Sequence, residues 1–140
     1  MIKRKFGSQS QPQFTFGNII MKVFDLEKIK LREVNYYLQS FQNVKNPEAY
    51  SIINPKGSHA IAVAARAKLT VNIQGSTGYY CGGMNEHAEI NVLGSVGPGV
   101  GENMMSGKIV VEGNASQYAG ATGNGGLLIV KGCLLYTSPS

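Results

Sequence analysis

Four copies of one short pattern, each set 19 residues after the last, constrain this chain more than any other feature. Leu69-Thr-Val-Asn-Ile-Gln-Gly75 recurs as Ala88-Glu-Ile-Asn-Val-Leu-Gly94, then as Gly107-Lys-Ile-Val-Val-Glu-Gly113 and Gly126-Leu-Leu-Ile-Val-Lys-Gly132. Gly82, Gly101 and Gly120 keep the same register, and a further position reads Gly78, Gly97 and Ser116. A fixed period of this length is the mark of a repeat architecture, in which each unit buries its apolar face only by stacking on its neighbours.

Within a repeat, Val71 and Ile73, Ile90 and Val92, Ile109 and Val111, and Leu128 and Val130 alternate with residues of opposite parity. Each run therefore reads as a short strand with one inward apolar face. The Gly-rich remainder has no room for a helix, so the chain must turn and return to start the next strand in parallel. The expected fold is all-β: a right-handed parallel β-helix, one strand per 19-residue coil, with a short N-terminal helix. Gly75, Gly78, Gly82, Gly94, Gly97, Gly101, Gly113, Gly120 and Gly132 are expected to be architectural, at corners that need positive φ or close approach of neighbouring rungs.

The outward positions carry two messages. Glu89 and Lys108 hold equivalent sites on adjacent coils, as do Glu112 and Lys131, which sets opposite charges side by side across rungs. Leu93, Val110, Leu127 and Ile129 also fall on the outward parity, where a free-standing solenoid would carry polar residues. These four are the expected contact with another domain or subunit.

The formal net charge of +5 is concentrated at the start, where Lys3, Arg4 and Lys5 have no acidic neighbour. A basic tail without a basic fold behind it argues against a nucleic-acid surface. No apolar run is long enough to span a membrane, and Gly7 to Gln13 is polar where a signal peptide would be apolar. Cys81 and Cys133 give neither a disulfide framework nor metal spacing. A cytoplasmic protein is expected.

In chain order, residues 1–20 read as a disordered extension, with Met21 opening a regular passage. Leu31, Val34, Leu38 and Phe41 predict a helix from about Lys30 to Phe41. This belongs to a strand and helix cap over residues 21–49. Tyr50 to Asn54 and His59 to Ala64 read as strands that begin the solenoid, which extends over residues 50–132. From Cys133 the register breaks, since Leu135 and Pro139 stand where small residues are required. Residues 133–140 therefore read as a non-native tail, and the chain as an amino-terminal fragment whose β-helix is incomplete at its C-terminal end.

The coils Gly75-Ser-Thr-Gly78-Tyr-Tyr-Cys-Gly82, Gly94-Ser-Val-Gly97-Pro-Gly-Val-Gly101 and Gly113-Asn-Ala-Ser116-Gln-Tyr-Ala-Gly120 resemble the GXGXG β-helix domain that forms the carboxy-terminal part of the glutamate synthase large subunit. Phe24-Asp25-Leu26, Leu31-Arg-Glu-Val-Asn35 and Asn54-Pro-Lys-Gly-Ser-His59 resemble its free-standing form, as in N-methylglutamate synthase-like complexes. The resemblance covers Met21 to Gly132. It implies a non-catalytic structural subunit that joins a class II glutamine amidotransferase subunit to an FMN-binding, iron-sulfur glutamate synthase-like subunit, in glutamate or N-methylglutamate synthesis. FMN and the iron-sulfur cluster would belong to the partner, with no cofactor, metal or catalytic residue in this chain. Formylmethanofuran dehydrogenase has a scaffold subunit that shares the domain, which makes that complex an alternative; a β-helix transferase is a more distant one.

Sharper readings of single motifs fare less well. Gly94 to Gly101 lacks the following helix and acidic residue of a dinucleotide fingerprint. Cys81, with His59 or His87 as base, would make a nucleophile, but an internal small residue at a coil corner reads as buried. Ser106 and Gly125 replace His87 on later coils, so no ligand ladder forms and a surface histidine is expected. Asp25 is the chain's single Asp, which excludes a calcium-binding β-roll. Met84, Met104 and Met105 read as gap-fillers, and Tyr79-Tyr80 as a covered corner or a partner contact.

Overall fold

A computed structural model gives the architecture and describes residues 13–16, 19–39, 48–65, 68–116, 119–121 and 123–133. In chain order the elements are β1 (Gln13–Phe16), β2 (Ile19–Asp25), α1 (Leu31–Gln39), β3 (Glu48–Ile53), β4 (Leu69–Gln74), β5 (Glu89–Val92), β6 (Lys108–Val111) and β7 (Leu127–Val130). The strands form one sheet in sequence order. β1 runs antiparallel to β2, and every later pair is parallel. The chain is a parallel β-solenoid of about four turns with repeats of about 19 residues.

Register places the repeats on top of one another. Val71, Ile90, Ile109 and Leu128 form one inward column, and Ile73, Val92, Val111 and Val130 the next. Tyr50 and Ile52 extend these columns into β3. All are buried except Leu128 and Val130, which are partly buried against the same core. Each fully buried branched side chain contributes about 1.5–3 kcal/mol, and a four-residue strand such as β5 carries only two of them. Such a strand persists because it is stacked.

The other sides of each coil stack too. Ile61, Cys81 and Val100 are buried, with Ala119 packed against them; Thr77, Val96 and Ala115 are buried on a third side, where Val96 and Ala115 form a parallel bridge. Behind the corner glycines runs a side-chain ladder. Ser76 Oγ accepts the Ser95 N–H at 3.1 Å, Ser95 Oγ accepts the Asn114 N–H at 3.0 Å, and Asn114 Oδ1 accepts the Cys133 N–H at 2.9 Å. A Cβ on Gly94 would lie 2.6 Å from the Gly75 carbonyl, and one on Gly113 2.7 Å from that of Gly94. The glycines let the rungs approach here backbone to backbone.

Residues 59–64 are not a strand. Ala60, Ala62 and Ala64 have φ of 57°, 58° and 59°, in a run of turns. The same conformation recurs at Tyr80, Gly82 and Met84, and at Gly99, Gly101 and Asn103, with Gly120 following. Left-handed residues alternate with others, so this stripe has a period of two and imitates the residue alternation of a strand. Its backbone still bonds between coils: Ala60 N–H donates to Tyr79 O at 2.8 Å and Tyr80 N–H to Pro98 O at 2.8 Å.

Three further expectations change. β1 and the start of β2 lie within the segment read as a disordered extension, where the structure pairs Gln13 with Lys22 and Phe16 with Ile19. The expected strand at Tyr50–Asn54 is β3, which begins at Glu48 and ends before Asn54, itself at φ 57°. Cys133 itself still bonds in coil register, its carbonyl accepting the Ala115 N–H at 3.0 Å, while Leu135 and Pro139, on which the expected break rests, lie outside the described residues. The helix expected over Lys30–Phe41 is α1, Leu31–Gln39, with Val34 and Leu38 buried; Ser40 and Phe41 lie outside the described residues, as do residues 1–12 and 134–140.

Between β2 and α1, Asp25 Oδ1 accepts the Asn54 amide at 2.8 Å and the Glu27 N–H at 2.9 Å, tying the loop to the end of β3. These bonds, the Asn54 amide foremost, hold the Asp25 carboxyl below its ordinary value of 3.8. The contribution to stability is present above that value and is lost as pH falls through the lowered one. Asp25→Ala lowers the melting temperature at neutral pH, and the gap from wild type closes in acid; an acid-independent gap contradicts the ionic origin.

Gly101 has φ 66°, and a Cβ there would lie 3.3 Å from Ile109 Cδ1. Gly101→Val combines a left-handed β-branched residue with overpacking and costs about 2–4 kcal/mol in urea denaturation. A loss of turnover in an assembled complex without loss of stability would contradict this architectural role.

Candidate interaction surface

The outward face of the sheet is built from three columns. Thr70, Glu89, Lys108 and Leu127 stack in one, and Asn72, Asn91, Val110 and Ile129 in the next. Gln74, Leu93, Glu112 and Lys131 make the third, as the Leu93, Glu112 and Lys131 N–H groups donate to Ile73, Val92 and Val111 carbonyls at 2.8, 2.9 and 2.8 Å.

The charged members of these columns pair with one another. Lys108 Nζ lies 3.7 Å from Glu89 Oε1, and Lys131 Nζ 3.0 Å from Glu112 Oε2, as the repeat spacing predicts. Such half-exposed pairs are worth about 0–1 kcal/mol, so their main effect is to neutralise the face and favour one register. Asn91 Nδ2 donates to Asn72 Oδ1 at 3.0 Å, and Gln74 Nε2 to Ser51 Oγ at 3.4 Å.

Apolar residues cross this face diagonally, from Leu93 through Val110 to Ile129 and Leu127 on successive coils. Leu93 is 48% exposed and Leu127 52%, and Ile129 is half-buried. Val110 differs from expectation. It lies on the outward column, in register between Asn91 and Ile129, yet only 9% of it is accessible. It backs the patch rather than offering contact area, because flanking side chains on a pleated surface cover a short β-branched residue.

The other singled-out residues fall elsewhere. Gly75, Gly94, Gly113 and Gly132 line the corner where rungs touch, Gly78 and Gly97 stack beside it, and Gly82, Gly101 and Gly120 share the left-handed stripe. Cys81 is fully buried, and burial pushes its thiol up to about 12. A thiol so high is protonated at neutral pH and is no nucleophile. His59 is stacked on Tyr79, with ring centroids 3.8 Å apart, and its Nδ1 accepts the Tyr79 N–H at 3.0 Å. That lone pair is occupied by structure. His87 is exposed, with Nδ1 3.0 Å from Ser106 Oγ, whose hydroxyl donates to the Glu86 carbonyl.

Met104 is buried, whereas Met84 and Met105 are exposed. β5 is followed by a corner and β6 with no intervening helix, which removes the context a dinucleotide fingerprint requires. Among the described residues no three His, Cys, Asp or Glu side chains group to hold a metal ion, and no helix is long and apolar enough to cross a membrane.

Sequence reasoning missed Asn85, fully buried, whose Nδ2 donates to Ala88 O at 2.8 Å while Oδ1 accepts the Ala88 N–H at 3.2 Å, clipping the turn into β5. It has no counterpart in the repeat, since Met104 and Gly123 stand 19 and 38 positions on. The Ser76, Ser95 and Asn114 ladder did carry a signal: a small polar residue after Gly75, Gly94 and Gly113.

No family model matches the chain, and no solved structure matches it. Among curated proteins, Protein GlxC of Rhizobium meliloti (strain 1021) is 55% identical over 91 residues, covering 65% of this chain and 40% of GlxC. The chain thus spans about two fifths of the length of the curated relative it matches.

In native-state alkylation Cys133, which is exposed, reacts quickly, and Cys81 reacts only after unfolding. Rapid labelling of Cys81 in the folded protein would overturn its assignment to the core.

Proposed function

We propose that this chain, a homologue of Protein GlxC with the coil motif of the glutamate synthase-type β-helix subunits, is a structural subunit of a cytoplasmic glutamate synthase-like complex. In this reading it joins a class II glutamine amidotransferase subunit to an FMN- and iron-sulfur-binding subunit. Glutamine hydrolysis and the redox step belong to those partners, and the product is glutamate or N-methylglutamate.

One observation carries the proposal beyond homology: the diagonal of Leu93, Ile129 and Leu127 in the outward columns of a face whose charged groups, Glu89 with Lys108 and Glu112 with Lys131, are already paired. Exposed apolar side chains on a face with neutralised charge gain by burial against another protein and incur little desolvation penalty for ions. The parallel ladder supports the role mechanically. A stack of coils bonded on all sides holds its outer face at fixed spacing, which suits a part that positions two other subunits.

The test is affinity capture of the tagged subunit from its own cells, with mass spectrometry and a flavin absorbance scan of the eluate. Recovery of a glutamine amidotransferase and a flavoprotein supports the proposal. A lone, colourless chain, or one recovered with formylmethanofuran dehydrogenase subunits, rejects it. Replacing both Leu127 and Ile129 with Ser should weaken recovery by on the order of ten-fold or more while leaving the melting temperature within a few degrees of wild type. Ile109→Ala, in the inward column, should instead cost about 2–5 kcal/mol of stability.

A further inference from the structure

Each coil after the first lies against a preceding one, and the stripe of left-handed residues shows what that contact requires. Gly82 N–H donates to Ile61 O at 2.9 Å, Gly101 N–H to Cys81 O at 2.8 Å, and Gly120 N–H to Val100 O at 2.7 Å. Ala62 holds the same place in the first coil, where the preceding layer is α1 rather than a coil. Its N–H donates to Asn35 Oδ1 at 2.8 Å. Asn35 Nδ2 in turn donates to Ala60 O at 2.8 Å, and Gln39 Nε2 donates to Val63 O at 2.8 Å.

The two amides stand four positions apart, on one face of α1. A primary amide carries the carbonyl and the N–H of a peptide group, so Asn35 Oδ1 takes the place of the Ile61 carbonyl that receives the Gly82 N–H, and the Gln39 amide that of the Ala64 N–H that donates to Gly83 O. Val34 and Leu38, buried beside them, fix the helix in place, and Phe24, Tyr37 and Tyr50 pack ring against ring at centroid distances of 5.3, 6.0 and 5.7 Å. On the sheet side the parallel ladder also stops, since β1 reverses direction against β2.

We propose that α1 is an end-stop, in which Asn35 and Gln39 occupy the leading edge of the first coil and keep a second copy of this chain from stacking there. An uncovered edge of backbone donors and acceptors is a template for pairing, and a head-to-tail contact of that kind does not close on itself. The occupant excluded is a second copy because the φ alternation of residues 60–64 recurs at Tyr80, Gly82 and Met84 and at Gly99, Gly101 and Asn103 of this same chain. The device favours unlike partners on the outer face over self-assembly through the coil end.

The test replaces both Asn35 and Gln39 with Leu in the full chain, which removes the three hydrogen bonds that seat α1 on residues 60–63 and so lets the helix lift from that edge. Light scattering across a concentration series reads association, and hydrogen exchange at the Ala62 amide reads where it occurs. The variant should associate at concentrations lower by on the order of ten-fold or more, with Ala62 regaining protection as it does. A folded variant that stays at the wild-type oligomeric state overturns the proposal, as does association that leaves Ala62 unprotected. Should the double variant not fold, Gln39→Leu alone gives the reading: more association than wild type supports the end-stop, and no increase overturns it.

Discussion

Hydrogen bonding between equivalent backbone positions of successive coils is the constraint on which the rest of this structure depends. A short strand buries too little apolar surface to offset the entropy of ordering it, and it has no partner of its own. Bonding to the coils above and below on every side makes those strands permanent. It also aligns the inward residues into columns, so Ile90 meets Ile109 and Val92 meets Val111. The core is a product of the ladder as much as its cause.

Glycine enters where that ladder demands it, for two physical reasons. At Gly94 and Gly113 rungs approach so closely that a Cβ would occupy the neighbouring carbonyl. At Gly82 and Gly101 the backbone is left-handed and the missing Cβ would press on Ile109. Left-handed φ by itself does not require glycine here, as Tyr80, Met84 and Asn103 show. Glycine stands where the left-handed position faces Ile109, whereas Ala62, at the same place in the first coil, keeps a buried Cβ.

The outer face follows from the same geometry. A parallel ladder repeats side chains at fixed separation, so unlike charges at equivalent sites form pairs and like amides form a chain. Once Glu89, Lys108, Glu112 and Lys131 are paired, the apolar diagonal has a neutral surround. A scaffold benefits from that combination, since a neutral apolar strip on a stiff backbone offers burial without a large desolvation penalty.

The sequence by itself determined the period, the one strand per coil, the inward columns, the ion pairs and the corner glycines, because each is a one-dimensional repeat imposed by stacking. It determined the helix nearly to its ends, since Leu31, Val34 and Leu38 share a face. Tertiary structure decided what has no repeat or shares its period with something else. Residues 59–64 read as a strand because alternation of left-handed residues has the same period of two; only φ separates them. Asn35, Gln39 and Asn85 act across the fold, through amides meeting backbone groups distant in sequence. Val110 is outward by parity and covered in fact, because exposure depends on neighbouring side chains rather than on the pleat alone.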